Sequence, residues 1–173
     1  MNVVSASITA AVALLGVVLG GWLSIRNQDR LWQRDHARQW RDIRLAAYKD
    51  FVAAYRQYVA FAQEPTANIT AVRFPHSPEK LTPFFDQVGR PYKERLETAA
   101  TAVRLVSESL DTLRAARDVV RSVREIAASR ATHSEAALPA ELFQRLFSAQ
   151  HAFLLAVRKE FGLAVMPVGT DEA

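Results

Sequence analysis

Cysteine is absent from this chain, and glycine occurs only six times in 173 residues. Without a thiol there is no disulfide framework, no Cys pair for a metal and no cysteine nucleophile. The lack also agrees with a reducing compartment. The few glycines form no phosphate-cradling loop and no Gly-x-Ser-x-Gly elbow. Histidine is equally thin. His36, His76, His133 and His151 are far apart in sequence, with no His-Glu-x-x-His and no Glu-x-x-His pair of the kind that builds a di-metal bundle. The nearest thing to a carboxylate–histidine pair, His133 with Glu135, falls in a polar connection. His36 and His151 fall at or beside apolar helical stripes and read as bundle residues. No cofactor or metal site is expected, and an enzyme is not the favoured reading.

Charge is missing from one long stretch. Val3 to Ile25 carries no Asp, Glu, Lys or Arg. At a rise of about 1.5 Å per residue this run can cross a hydrocarbon core of about 30 Å, where only a helix satisfies its own backbone. A cleaved signal peptide fits poorly, because no basic residue precedes the run and the run exceeds an ordinary h-region. All 18 Arg and 4 Lys lie beyond Ile25. Basic residues that follow a span stay on the cytoplasmic side. The sequence therefore predicts a single-pass protein of the cell (inner) membrane, N-terminus outside and the rest cytoplasmic. Trp22, Arg26 and Arg30 are the expected headgroup contacts, worth about 1 kcal/mol per near-surface charge. Gly16, Gly20 and Ser24, each four apart, form a small-residue face suited to association of two membrane helices, and so to a homo-oligomer.

What is present beyond the span is helical in pattern. Neither Pro nor Gly occurs between Trp22 and Gln63, so the anchor is expected to continue into one helix roughly 90 Å long. Residues 26–42 form a basic juxtamembrane stalk; residues 26–44 hold six arginines against Asp29, Asp35 and Asp42, so most of the net charge of +4 is local to this stretch. Trp32, His36, Trp40, Ile43 and Ala47 make an apolar stripe, continued by Phe51, Ala54, Tyr58 and Phe61. Glu64 to Pro83 contains Pro65, Pro75, Pro78 and Pro83 and reads as a connection, with Pro78 or Pro83 opening the second helix. That helix carries Leu81, Phe84 or Phe85, Val88, Tyr92, Leu96, Ala99 and Val103, interrupted by Gly89-Arg90-Pro91. A break is expected at Ser107-Glu108-Ser109, with Ser107 as cap. Leu110, Leu113, Ala116, Val120, Val123 and Ala127 then face inward on a third helix. Pro139 opens a fourth, with Leu142, Leu146, Ala149, Phe153, Val157 and Phe161 inward and Gly162 as its stop.

No stretch alternates with period two over strand length, so the expected class is all-α. The cytosolic part, residues 43–163, is expected to be an antiparallel four-helix bundle, helices paired in coiled-coil fashion, followed by a flexible tail, 164–173. Tyr48, Tyr55 and Tyr58, with Phe51, cover a wider arc than one core stripe needs. They are the sequence's candidates for a partner surface, against the alternative that a central helix is apolar over a wide arc.

Gly20-Gly21-Trp22, the Arg-rich run through Trp32, Trp40-Arg41-Asp42, Arg44, Tyr48 and Phe51, and the closing 153–162 resemble a diffuse group of small, mostly uncharacterised actinobacterial membrane proteins. The resemblance implies an N-terminal transmembrane anchor with a helical cytosolic domain, and brings no catalytic residues. Three function classes stay open. The leading one is a membrane-tethered interaction module with an unknown protein partner, and a small-molecule-sensing bundle is the alternative. Nucleic-acid binding is the least favoured, because acidic residues interleave with the arginines on each helix.

Overall fold

The computed structural model describes residue 32 and residues 35–74, 77–134 and 137–163. The uncharged run 3–25 lies outside them, as do Gly16, Gly20, Trp22, Ser24, Arg26, Arg30 and the tail. No helix among the described residues is long and apolar enough to cross a membrane. The chain divides into two compact units, Met1–Asp42 and Ile43–Ala173. The first is described only at Trp32 and residues 35–42, which are helical. There Trp32 and His36 stack at 5.1 Å, and the Trp40 indole N–H donates to His36 Nε2 at 2.9 Å. All three side chains are exposed, so His36 belongs to a surface ladder at four-residue spacing rather than to a core.

Four helices dominate the described residues: α1 over 35–63, α2 Arg90–Val106, α3 Leu110–Arg130 and α4 Ala140–Glu160. In the second unit each helix runs opposite to its sequence neighbour. Phe61 at the end of α1 stacks on Tyr92 at the start of α2, 4.7 Å between centroids. Glu97 early in α2 pairs with Arg124 late in α3, and Asp111 at the start of α3 pairs with Lys159 at the end of α4. Apolar residues at three- and four-residue spacing make each helix bury one stripe. Phe51, Tyr55 and Tyr58 meet Leu96 and Val103, Val119, Val123 and Ile126, and Leu146 and Phe153 in one core.

The all-α expectation needs a correction between α1 and α2. Strands β1 (Ile69–Phe74) and β2 (Ser77–Phe85) form an antiparallel hairpin, with Ile69 opposite Phe85 and Val72 opposite Thr82. Residues Leu81 and Phe84, read from sequence as helical, are strand residues. The alternation is real, since Ile69, Ala71, Pro83 and Phe85 turn toward the core while Thr70, Val72 and Phe84 turn outward. It is hidden in the sequence because Val72 and Phe84 are apolar yet 53% and 46% exposed. Pro83 is tolerated because a two-stranded sheet has a free edge on each strand. Phe85 anchors the hairpin on Tyr58 and Phe61, at 5.1 and 5.9 Å.

Gly89, between the hairpin and α2, sits where this anchoring is tightest. A Cβ there would lie 2.6 Å from Phe61 and 2.7 Å from Phe85. Its φ of −82° would suit any residue, so close approach alone requires glycine. Gly89→Ala is expected to overpack this corner and cost about 1–3 kcal/mol, measured by urea unfolding.

The break at Ser107-Glu108-Ser109 is present, but Ser109 and not Ser107 caps α3, its hydroxyl accepting from the Thr112 N–H at 3.3 Å. The register also shifts from the sequence expectation. Leu110 is 66% exposed, while Thr112, Ala115 and Val119 are buried beside Ala116 and Val123. On α4 the inward stripe is Leu142, Leu146, Phe153 and Ala156, with Val157 and Phe161 only half-buried. His151 is exposed and is no bundle residue. Gly162, with φ of +66°, ends α4 as expected. Its N–H donates to Lys159 O at 3.0 Å and the Leu163 N–H to Arg158 O at 2.8 Å, a glycine-terminated helix stop.

Candidate functional site

Two features of the second unit carry functional interest, and they adjoin at Tyr48. The first is a polar knot built where three chain segments meet. The α2–α3 break leaves backbone groups without helical partners, and the end of α4 arrives beside it. Glu160, the last residue of α4, fills the junction. Its Oε2 accepts from the Thr112 hydroxyl at 2.8 Å, the Tyr48 hydroxyl at 2.9 Å and the Ser107 hydroxyl at 3.0 Å. Its Oε1 accepts from the Glu108 N–H at 3.2 Å. Arg44 forms an ion pair with Glu108, and Lys159 one with Asp111 at 3.0 Å, so the junction is ringed by paired charges.

The electrostatics follow from this geometry. Burial alone would raise the Glu160 pKa. The donors from Thr112, Tyr48, Glu108 and Ser107 together outweigh it and hold the carboxyl below its usual range. Tyr48 shifts the other way, pushed up to about 12, chiefly by burial and then by its bond to the Glu160 carboxylate, with Ser107 opposing. A phenol that stays protonated and a carboxylate that stays ionised make a fixed donor–acceptor pair. Four donors nearly saturate the carboxylate, leaving little acceptor capacity for a substrate. The knot therefore ties α1, the α2–α3 break and α4 together.

The second feature is a groove of about 380 Å³ between α1 and α4. Val52, Ala53, Phe153 and Val157 line it together with Leu45 and Leu154, which are 45% and 49% exposed. Lys49 and Arg56, seven residues apart, line it on the α1 side. An apolar trough flanked by cations is the kind of surface on which an apolar segment can bind.

Of the residues singled out in the sequence as a partner surface, Tyr48, Tyr55 and Tyr58 are all buried, at 3%, 1% and 1% exposure. That expectation is corrected. α1 is the helix on which α4, α2 and the hairpin all pack, so it needs apolar side chains over a wide arc. The three rings are spent on Phe153, Phe51 and Phe85 respectively. Glu160 and Thr112 escaped sequence reasoning, and Ser107 was read only as a cap, because they are far apart in the chain and ordinary helix-end residues. The signal that could have found the groove, Leu45, Lys49, Val52 and Arg56 at spacings of four, three and four, was missed. No group of three His, Asp or Glu among the described residues could hold a metal ion.

Comparison with known proteins found no matching family model, no similar curated protein and no similar solved structure.

Proposed function

We propose that this chain is a membrane-anchored helical interaction module, held by residues 3–25 with its folded part on the cytoplasmic side. The observation that supports an interaction role is the α1–α4 groove, which leaves Leu45 and Leu154 about half exposed on facing helices. Exposing such residues side by side costs solubility, and contiguous apolar surface rimmed by polar groups marks binding sites. The anchor rests on the uncharged run and on the placement of every Lys and Arg after it.

The cysteine-free sequence makes topology simple to test. In Asn2→Cys the thiol should react with a membrane-impermeant maleimide in intact cells. In Glu141→Cys, on an exposed position of α4, labelling should require permeabilisation. Release of the full-length chain by alkaline carbonate, or equal labelling of both variants in intact cells, would overturn the anchored reading.

A further inference from the structure

We infer that the α1–α4 groove receives an amphipathic helix of another protein that presents acidic residues seven apart on the side facing α1. The inference rests on the interaction-module reading and names the partner's chemistry.

The groove is shaped for a helix. Its α1 wall runs from Leu45 to Arg56, an extent of roughly 16 Å at a helical rise of about 1.5 Å per residue, or three turns. Leu45 and Val52 supply an apolar edge on α1, and Leu154 and Val157 supply one on the antiparallel α4. Between two such ridges a third helix can lay an apolar stripe, the recurring mode by which grooves bind short helical segments.

Charge selects the occupant. Lys49 and Arg56 lie two turns apart on the groove's α1 side, and no ion pair to either occurs among the described residues. Three exposed cations at contacts between helices, Arg124, Arg145 and Lys159, are each matched by a carboxylate of this chain. An incoming helix with Asp or Glu at positions i and i+7 would meet both groove cations at once. A second copy offers acids at that spacing on α3, Asp111, Asp118 and Glu125, but each is already paired within its own chain, with Lys159, Arg121 and Arg145. The α4 half of the face carries Leu154 and Val157 with Phe147 and Gln150 beyond them and no carboxylate, while the α1 half is itself cationic. Complementary charge of this kind sets partner choice and association rate more than raw affinity.

The test places the photo-crosslinking amino acid p-benzoylphenylalanine at position 154 of the full-length chain in intact cells, and sequences the cross-linked peptide. The expected adduct is a peptide of a different protein with apolar residues at helical spacing and acidic residues seven apart. The Lys49→Glu/Arg56→Glu double variant should lower its yield at least about ten-fold, as loss of roughly 1.4 kcal/mol or more would. Its thermal midpoint should be unchanged, and Lys49→Glu alone serves if the double variant melts lower. Reversing the acids of the identified peptide to Lys should then restore the adduct. An adduct to a second copy of this chain, to lipid or to a neutral or basic peptide would overturn the inference. So would no adduct, or a yield indifferent to the charge reversal. Cross-linking in intact cells reads the groove whatever the fractionation result, so failure of the anchor and failure of the partner assignment are told apart.

Discussion

Phe153→Ala should lower the thermal midpoint of this protein by at least about 10 °C. Phe153 is 1% exposed. Its ring meets Tyr48 edge-on at 5.9 Å and Phe51 at 5.1 Å, so it is the wedge that holds α4 against α1. Truncation removes the transfer free energy of a ring and leaves a cavity that the flanking aromatics cannot close, at a cost of about 3–5 kcal/mol. Domains of this size are stable by only about 5–15 kcal/mol, and a kilocalorie moves the midpoint by several degrees. Circular dichroism melts of the two proteins decide it. A shift below about 3 °C would mean that α4 is not held through this ring. Phe147→Ala, on an α4 position 65% exposed, is the control and should stay within about 0.5 kcal/mol of the parent.

The second large effect is a loss of stability in acid that depends on Glu160. Its carboxyl titrates below its usual range in the folded chain because of the donors from Thr112, Tyr48, Glu108 and Ser107. In the unfolded chain it titrates near about 4.3. A depressed folded pKa means that the carboxylate contributes stability above the unfolded value. That contribution is lost as pH falls from there through the folded pKa. The charges facing it include the Arg44–Glu108 pair at the α2–α3 break and the Lys159–Asp111 pair. Asp111 is also lowered, first by its bond from Lys159, and its loss in acid adds to the same direction. Glu160→Ala should cost about 2–4 kcal/mol at neutral pH, since it strips a charged acceptor from three hydroxyls and an N–H. The variant's urea stability should also vary less with pH below about 4.5 than the parent's. Parallel pH profiles for parent and variant would show that the knot does not bear on folding. Tyr48→Phe should cost less, about 0.5–1.5 kcal/mol, because only one of the four donors is lost.

Much of the fold was legible in the chain, and the reason is local. Helix α1 could be traced because no Pro or Gly interrupts 23–63, and its core stripe because Phe51, Ala54, Tyr58 and Phe61 recur at helical spacing. The α2–α3 break, the Pro139 start and the Gly162 stop were legible for the same reason, as caps and breakers act within a turn. Periodicity, capping and charge are short-range properties, and one sequence carries them openly.

Only tertiary structure decided the rest. The hairpin 69–85 was hidden because its outward residues Val72 and Phe84 are apolar, and alternation is visible only when one face is wet and polar. The fate of Tyr48, Tyr55 and Tyr58 depended on how many neighbours α1 has, which the composition of α1 alone does not state. The Glu160 knot joins residues 48, 107, 108, 112 and 160, whose proximity arises from helix directions and not from spacing. The α1–α4 groove is the remainder left when those helices have packed: Lys49 and Arg56 on one wall, Leu154 and Val157 on the other. By itself the sequence determined most of the helical stripes and breaks, the uncharged run and the placement of every Lys and Arg after it. Packing decided which aromatics were consumed and which apolar surface stayed open, because burial is a property of pairs of elements and no single element encodes its partner.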